Sequence, residues 1–131
     1  MKRLEDWPER LAEYLEGARG RPFSFGTHDC ATFAAGAVAA LTDAEIEVPR
    51  VESAADYARF VLAAGSLHDH VVDRLGEPLP SPAHAQRGDL VLMLLDDRPT
   101  LGVCIGAEVA GPGPGGMVTM PMSIAAAAWR V

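Results

Sequence analysis

Cysteine is scarce in this sequence: there are two in 131 residues, Cys30 and Cys104. They can pair only if the fold brings them together, and two free thiols are the expectation. Long apolar runs are missing as well. No span reaches the about 18 residues that a membrane helix needs, so no membrane insertion is expected. The opening Met1-Lys-Arg-Leu-Glu-Asp-Trp7 has no apolar stretch of the signal-peptide kind, which points to a chain that is cytoplasmic when made. Positive charge is the third shortage. Lys and Arg number 11 against 18 Asp and Glu, for a net charge of −7. With no basic stripe interleaved with aromatics, nucleic-acid binding is not expected.

What is present describes an ordered globular protein. Apolar residues make up 49% and charged residues 22% of the chain, enough to bury a core. The length fits one domain spanning 1–131. Leu4, Trp7, Leu11, Tyr14, Leu15 and Ala18 fall at helical spacing, with Pro8 near the start and Asp6 and Glu9 placed as a cap-like pair. This first helix occupies 1–20. The region 21–76 carries three more. One runs from about Cys30 to Leu41, is rich in Ala, and is capped by His28 or Asp29. Thr42 to Val51 is a polar connector ending in a Pro-Arg turn. Ser53 with Asp56, and Ser66 with Asp69, then open two short helices that stop at Gly65 and Gly76. Their apolar positions are Tyr57, Phe60, Val61 and Ala64, then Leu67, Val71 and Leu75. His68 and His70 are expected to face solvent.

After the proline-rich loop 77–85 the period changes. Asp89 to Leu95 is an unbroken apolar run and reads as a buried strand, with a turn at Asp96-Asp97-Arg98-Pro99. Thr100 to Gly106 reads as a second strand, Gly111 to Gly116 as a long turn, and Met117 to Met120 as a third strand. Ser123 to Ala128 is a short helix or an extended segment, and Trp129 to Val131 a fourth strand. Helices followed by an antiparallel sheet over 86–131 is an α+β architecture.

The stretch that draws the eye chemically is Arg21-Pro-Phe-Ser-Phe-Gly-Thr-His-Asp-Cys30-Ala-Thr-Phe33. It delivers a thiol to the first turn of a helix, where unpaired N–H groups and the helix dipole favour an anion. The segment resembles the Gly…Asp-Cys-Ser-Gly region of NlpC-type cell-wall peptidases, which are papain-like cysteine hydrolases. Arg87-Gly88-Asp89-Leu90-Val91 is similar to their Pro-Gly-Asp-Leu-Val turn and strand, and Leu101-Gly-Val-Cys-Ile-Gly106 to their next strand. The resemblance covers about 21–120. The chain is also similar to small phage and prophage tail-associated proteins that share the His-Asp-Cys start and a terminal Ala-Trp-Arg-Val.

That resemblance implies a nucleophile at Cys30, a His on the following sheet and a polar group orienting it. Only the first carries over. Thr100 stands where the His belongs, and the third position falls near Thr119. His28, two residues before Cys30, and His84, before the Arg87-Gly88 turn, are the candidate irregular bases, with Asp29 as a supporting residue that also serves as a cap. The plain alternative for Cys30 is a small buried residue at a helix start. Cys104 reads as core, His68-Asp69-His70 as a solvated pair rather than a metal site, Arg87-Gly88-Asp89 as turn plus strand, and the glycines at 111–116 as a turn rather than a phosphate cradle. No cofactor and no metal is expected.

Two functions follow. One is a catalytically degenerate NlpC-like module serving as a structural or docking component of a phage or prophage tail tip, incorporated in the virion tail among other tail proteins. Its apolar Met117 to Met122 segment or its first helix would pack on neighbours. The other is an active peptidoglycan endopeptidase or amidase with Cys30 as nucleophile. The first is preferred, because Thr100 and Leu101 stand where a base is needed.

Overall fold

The apolar run after Arg87-Gly88 becomes the middle of a sheet. In the computed structural model, which describes residues 1–48, 50–63 and 65–131, β1 (Leu90–Leu95) lies between β2 (Arg98–Cys104) and β5 (Ala125–Trp129), antiparallel to both. With β3 (Glu108–Gly113) and β4 (Gly116–Pro121) the strand order is β4-β3-β2-β1-β5. Four helices precede the sheet: α1 (Trp7–Ala18), α2 (Cys30–Thr42), α3 (Ala54–Ala63) and α4 (Leu67–Leu75). The chain is therefore α+β, with helices first and the antiparallel sheet after. The expected apolar position Ala64 and the Pro49 of the expected Pro-Arg turn lie outside the described residues.

An unbroken apolar strand needs cover on both faces, and β1 has it. Leu90 and Leu92 join Leu101, Val103, Ala127 and Trp129 against the helices, with Phe33, Ala37, Val38 and Leu41 of α2 and Leu11 of α1. Val91 and Met93 point the other way, into a second cluster with Cys104, Val109 and Ala128. That far face is covered by Leu79, Ala85, Met122 and Ile124, from segments that contain the 3₁₀ turns Pro82–His84 and Met122–Ile124. Each fully buried Leu or Phe contributes about 1.5–3 kcal/mol, so α2 and β1 dominate the core.

The sheet departs from the sequence expectation at two places. Gly111 to Gly116 is not a long turn: Gly111, Pro112 and Gly113 belong to β3 and pair with Val118, Met117 and Gly116 of β4. Pro112 is tolerated because it lies beyond the part of β3 that pairs with β2, at Val103–Ala110 and Cys104–Val109. The strand near the C-terminus is Ala125–Trp129 rather than Trp129 to Val131, and the unexpected β3 brings the sheet to five strands. The turn after β1 is also tighter than expected. Asp96 and Asp97 both have positive φ, 50° and 63°, as a two-residue hairpin with the right twist requires, and Pro99 is already in β2.

Local capping explains most helix ends. Ser53 Oγ accepts from Asp56 N–H at 3.1 Å and Ser66 Oγ from Asp69 N–H at 3.0 Å, as their spacing predicts. The Asp6–Glu9 pair does not cap α1. Asp6 Oδ1 instead accepts from Arg10 Nε at 2.9 Å, one turn on.

One buried carboxylate joins the ends of the chain to the sheet. Asp89, fully buried, accepts from Arg3 Nη2 at 2.9 Å, Val131 N–H at 3.0 Å and Gln86 N–H at 2.8 Å, with Arg130 Nη1 at 3.4 Å. Arg3 also donates to Val131 O and Arg87 O while its guanidinium lies over the Trp7 ring. The Arg-Gly-Asp tripeptide is thus part of the fold's internal wiring.

Candidate functional site

The Cys30 loop is built around Asp29. Its carboxylate accepts from the backbone N–H groups of Gly26 and Thr32, each at 2.9 Å, while Thr32 Oγ1 accepts from Asp29 N–H. This reciprocal capping box fixes both the turn and the helix start. Gly26 has φ 83°, and a Cβ there would lie 2.3 Å from Val51 O, so the turn admits only glycine. Ser24 and His28 close the loop as an antiparallel bridge, and Phe23 N–H donates to Gly113 O at 2.8 Å, tying it to β3. Asp29, not His28, is the cap.

Cys30 consequently begins α2, as expected, but its side chain is turned inward. The residue is 7% exposed and belongs to the core cluster. Its Sγ lies 3.3 Å from the Tyr57 hydroxyl of α3. Burial pushes the thiol above its ordinary range. The hydrogen bond from Tyr57 and the backbone N–H groups of Leu101 and Cys30 favour the thiolate, and burial outweighs them. The expected bias toward an anion is therefore reversed: desolvation exceeds the helix terminus.

The neighbouring strand supplies no base. Leu101 is buried in the same cluster as Cys30. Thr100 is paired with Met93, whose side chain belongs to the far cluster, so Thr100 sits on the opposite face of the sheet, its hydroxyl donating to Arg98 O at 3.1 Å. Thr119 is exposed on the edge strand β4, opposite Ala110. Neither is near the position a catalytic partner of Cys30 would take on β2.

The four histidines are dispersed. His28 is 4% exposed and its ring meets Phe33 edge-on, centroids 5.9 Å apart, with a buried Nε2 that has no hydrogen-bond partner among the described residues. Its pKa is lowered, chiefly by burial and then by Arg21, against a smaller opposing pull from Asp29. His84 is exposed on the 3₁₀ turn at Pro82–His84, next to Ala85 of the far cluster, and its hydrogen bonds are made by its backbone, the N–H donating to Ser81 O and the carbonyl accepting from Arg130 Nη2. His70 does not face solvent as expected, and His68 is half-buried. His68 packs on Trp129 with centroids 5.3 Å apart, and buried His70 meets Phe60 at 4.3 Å and Arg74 Nη1 at 2.9 Å. Among the described residues, no imidazole hydrogen-bonds to Cys30 Sγ and no three His, Cys, Asp or Glu side chains gather as a metal site.

Cys104 is core, 1% exposed on the far face, and both cysteines are free thiols. Ala31, Leu90, Leu101, His70 and Val71 line an apolar pocket of about 30 Å³. The sequence reading missed Tyr57, the residue that touches the thiol, because it looked like one more apolar position of α3. Of Thr100 and Leu101, the two residues expected where a base is needed, strand alternation turns only one toward Cys30, and it is Leu101.

No helix among the described residues is long and apolar enough to cross a membrane. No curated protein matches this chain. A family model described as a domain of unknown function, DUF6950, matches residues 2–131, and the chain belongs to that family.

Proposed function

We propose that this chain is a catalytically degenerate NlpC-like module of papain-like ancestry, used as a structural or docking component. The observation that carries the reading is the environment of Cys30: a buried thiol bonded to Tyr57 with Leu101, not a histidine, beside it. A cysteine hydrolase needs a thiolate and a base within hydrogen-bond reach. Here burial favours the neutral thiol, and the His28 ring packs edge-on against Phe33. The order of parts supports the ancestry. A Cys at the start of a core helix is followed by a glycine turn at Gly88, then Asp89 and the strands β1 and β2.

A phage or prophage tail tip is the setting we propose, on the sequence resemblance set out above. Purified chain incubated with peptidoglycan releases no new amino groups on this reading, and the chain is recovered in purified tail particles. Release of amino groups that is lost in Cys30→Ser would overturn it in favour of a peptidoglycan endopeptidase or amidase.

A further inference from the structure

Helix α3 is attached unlike the other helices. No residue of it is fully buried, whereas α1, α2 and α4 each bury at least two. Its backbone and capping hydrogen bonds are local. Tyr57 N–H donates to Ser53 O, Asp56 N–H to Ser53 Oγ, Glu52 N–H to Asp56 Oδ2 and Gly65 N–H to Leu62 O. Its hold on the rest of the fold is made by side chains alone: Tyr57 on Cys30, Phe60 on the His70 ring, and Tyr57 and Val61 at the edge of the core. Firm anchors flank it. Val51 is 4% exposed with its carbonyl packed against Gly26, and Leu67 is fully buried at the start of α4. Between helix and second anchor stands Gly65, at φ 93°, where a side chain would be strained. Leu62 adds a 75% exposed apolar side chain to the outer face.

We infer that α3 is a cover over Cys30 that opens as a unit between Val51 and Leu67, exposing the thiol while the sheet and α2 stay folded. Such an opening leaves the helix's own hydrogen bonds and caps intact and withdraws only partly buried side chains of α3 from Cys30 and His70, which puts it at the low-energy end of local openings. Cys104 supplies an internal reference. It lies on the far face of the sheet, beneath Leu79, Ala85, Met122 and Ile124, and its Sγ donates to Gly106 O at 3.4 Å, so its exposure does not depend on α3. The inference is independent of whether Cys30 catalyses anything, since it concerns access to the thiol and not its activation.

The test is iodoacetamide labelling of the full chain at pH 8, with each cysteine followed by peptide mass spectrometry across a urea series below the unfolding transition. Cys30 is expected to label at least about tenfold faster than Cys104 and with a shallower dependence on urea. Phe60→Ala, whose ring rests on α4 rather than on the thiol, is expected to raise the Cys30-to-Cys104 rate ratio several-fold, as is Tyr57→Ala. Equal rates and equal urea slopes for the two cysteines would overturn the inference, because both thiols would then be exposed by one shared unfolding event. A ratio that responds to Tyr57→Ala but not to Phe60→Ala would overturn it too, because the helix would not be moving as one body.

Discussion

The hydroxyl of Tyr57 lies 3.3 Å from the sulfur of Cys30, joining α3 to the first residue of α2. A thiol so placed is a packed core group with one polar partner. Tyr57 is itself affected: burial, together with Cys30, holds its phenol well above the ordinary range, so it stays protonated at any physiological pH.

Replacing that hydroxyl tests its contribution. Tyr57→Phe keeps the ring and removes the hydrogen bond, and should cost about 0.5–1 kcal/mol of stability in urea unfolding. Because the bond favours the thiolate, its loss moves the Cys30 titration to still higher pH, read by thiolate absorbance. No change in either quantity would show that the contact contributes nothing.

Asp89 is the most consequential carboxylate. Asp89→Ala leaves Arg3, whose side chain is 15% exposed, without its partner, and strips acceptors from Gln86 N–H and Val131 N–H. Breaking a buried ion pair from one side costs about 3–5 kcal/mol. Urea unfolding should show a loss of that size, whereas removing the exposed Arg19–Glu16 pair should change stability by less than about 1 kcal/mol.

Gly26 tests the loop. Gly26→Ala combines a strained positive φ with a Cβ 2.3 Å from Val51 O, so backbone must shift. The variant should lose more than about 1 kcal/mol. Gly17→Ala is the control: it sits inside α1 with open space around it, and should stabilise by a few tenths to about 1 kcal/mol.

Acid should weaken the fold through two imidazoles. His28 and His70 both have lowered pKa values because burial disfavours the imidazolium, with Arg21 and Arg74 adding to the shift and Asp29 and Asp73 opposing it. Below about pH 6.5 the unfolded chain takes up protons that the folded chain refuses, so acid favours unfolding. Their stabilising contribution is complete above that pH and is lost progressively as pH falls through it. Urea midpoints should therefore drop from pH 7 to pH 5, and drop less in His28→Leu and in His70→Leu. A flat midpoint over that range contradicts the assignment.

Much of this was legible from local patterns. The spacing of Ser53 with Asp56 and of Ser66 with Asp69, the apolar run of β1, and the helix beginning at Cys30 each rest on interactions a few residues apart. His70 was legible too, three residues after Leu67 and therefore on the buried face of α4, although its polarity suggested solvent. β3 was obscured by its Gly and Pro content. The Asp89 network was not readable at all, because Arg3, Arg130 and Val131 reach it from the chain ends and no local spacing records such contacts. Nor was the burial of Cys30 under Tyr57, which depends on how α3 is rotated against the body. Burial, against the pull of the Tyr57 hydrogen bond, changes a motif that looks reactive into one whose thiol is held neutral.

The most direct measurement is therefore the pH profile of Cys30 alkylation by iodoacetamide, in the parent chain and in His28→Ala and His84→Ala. The account predicts negligible reaction at pH 6, a rate that rises only through and above the ordinary thiol range of about pH 8.5, and the same profile in both variants. Prompt alkylation of Cys30 at pH 6 that disappears on removing either histidine would contradict it and restore an activated nucleophile.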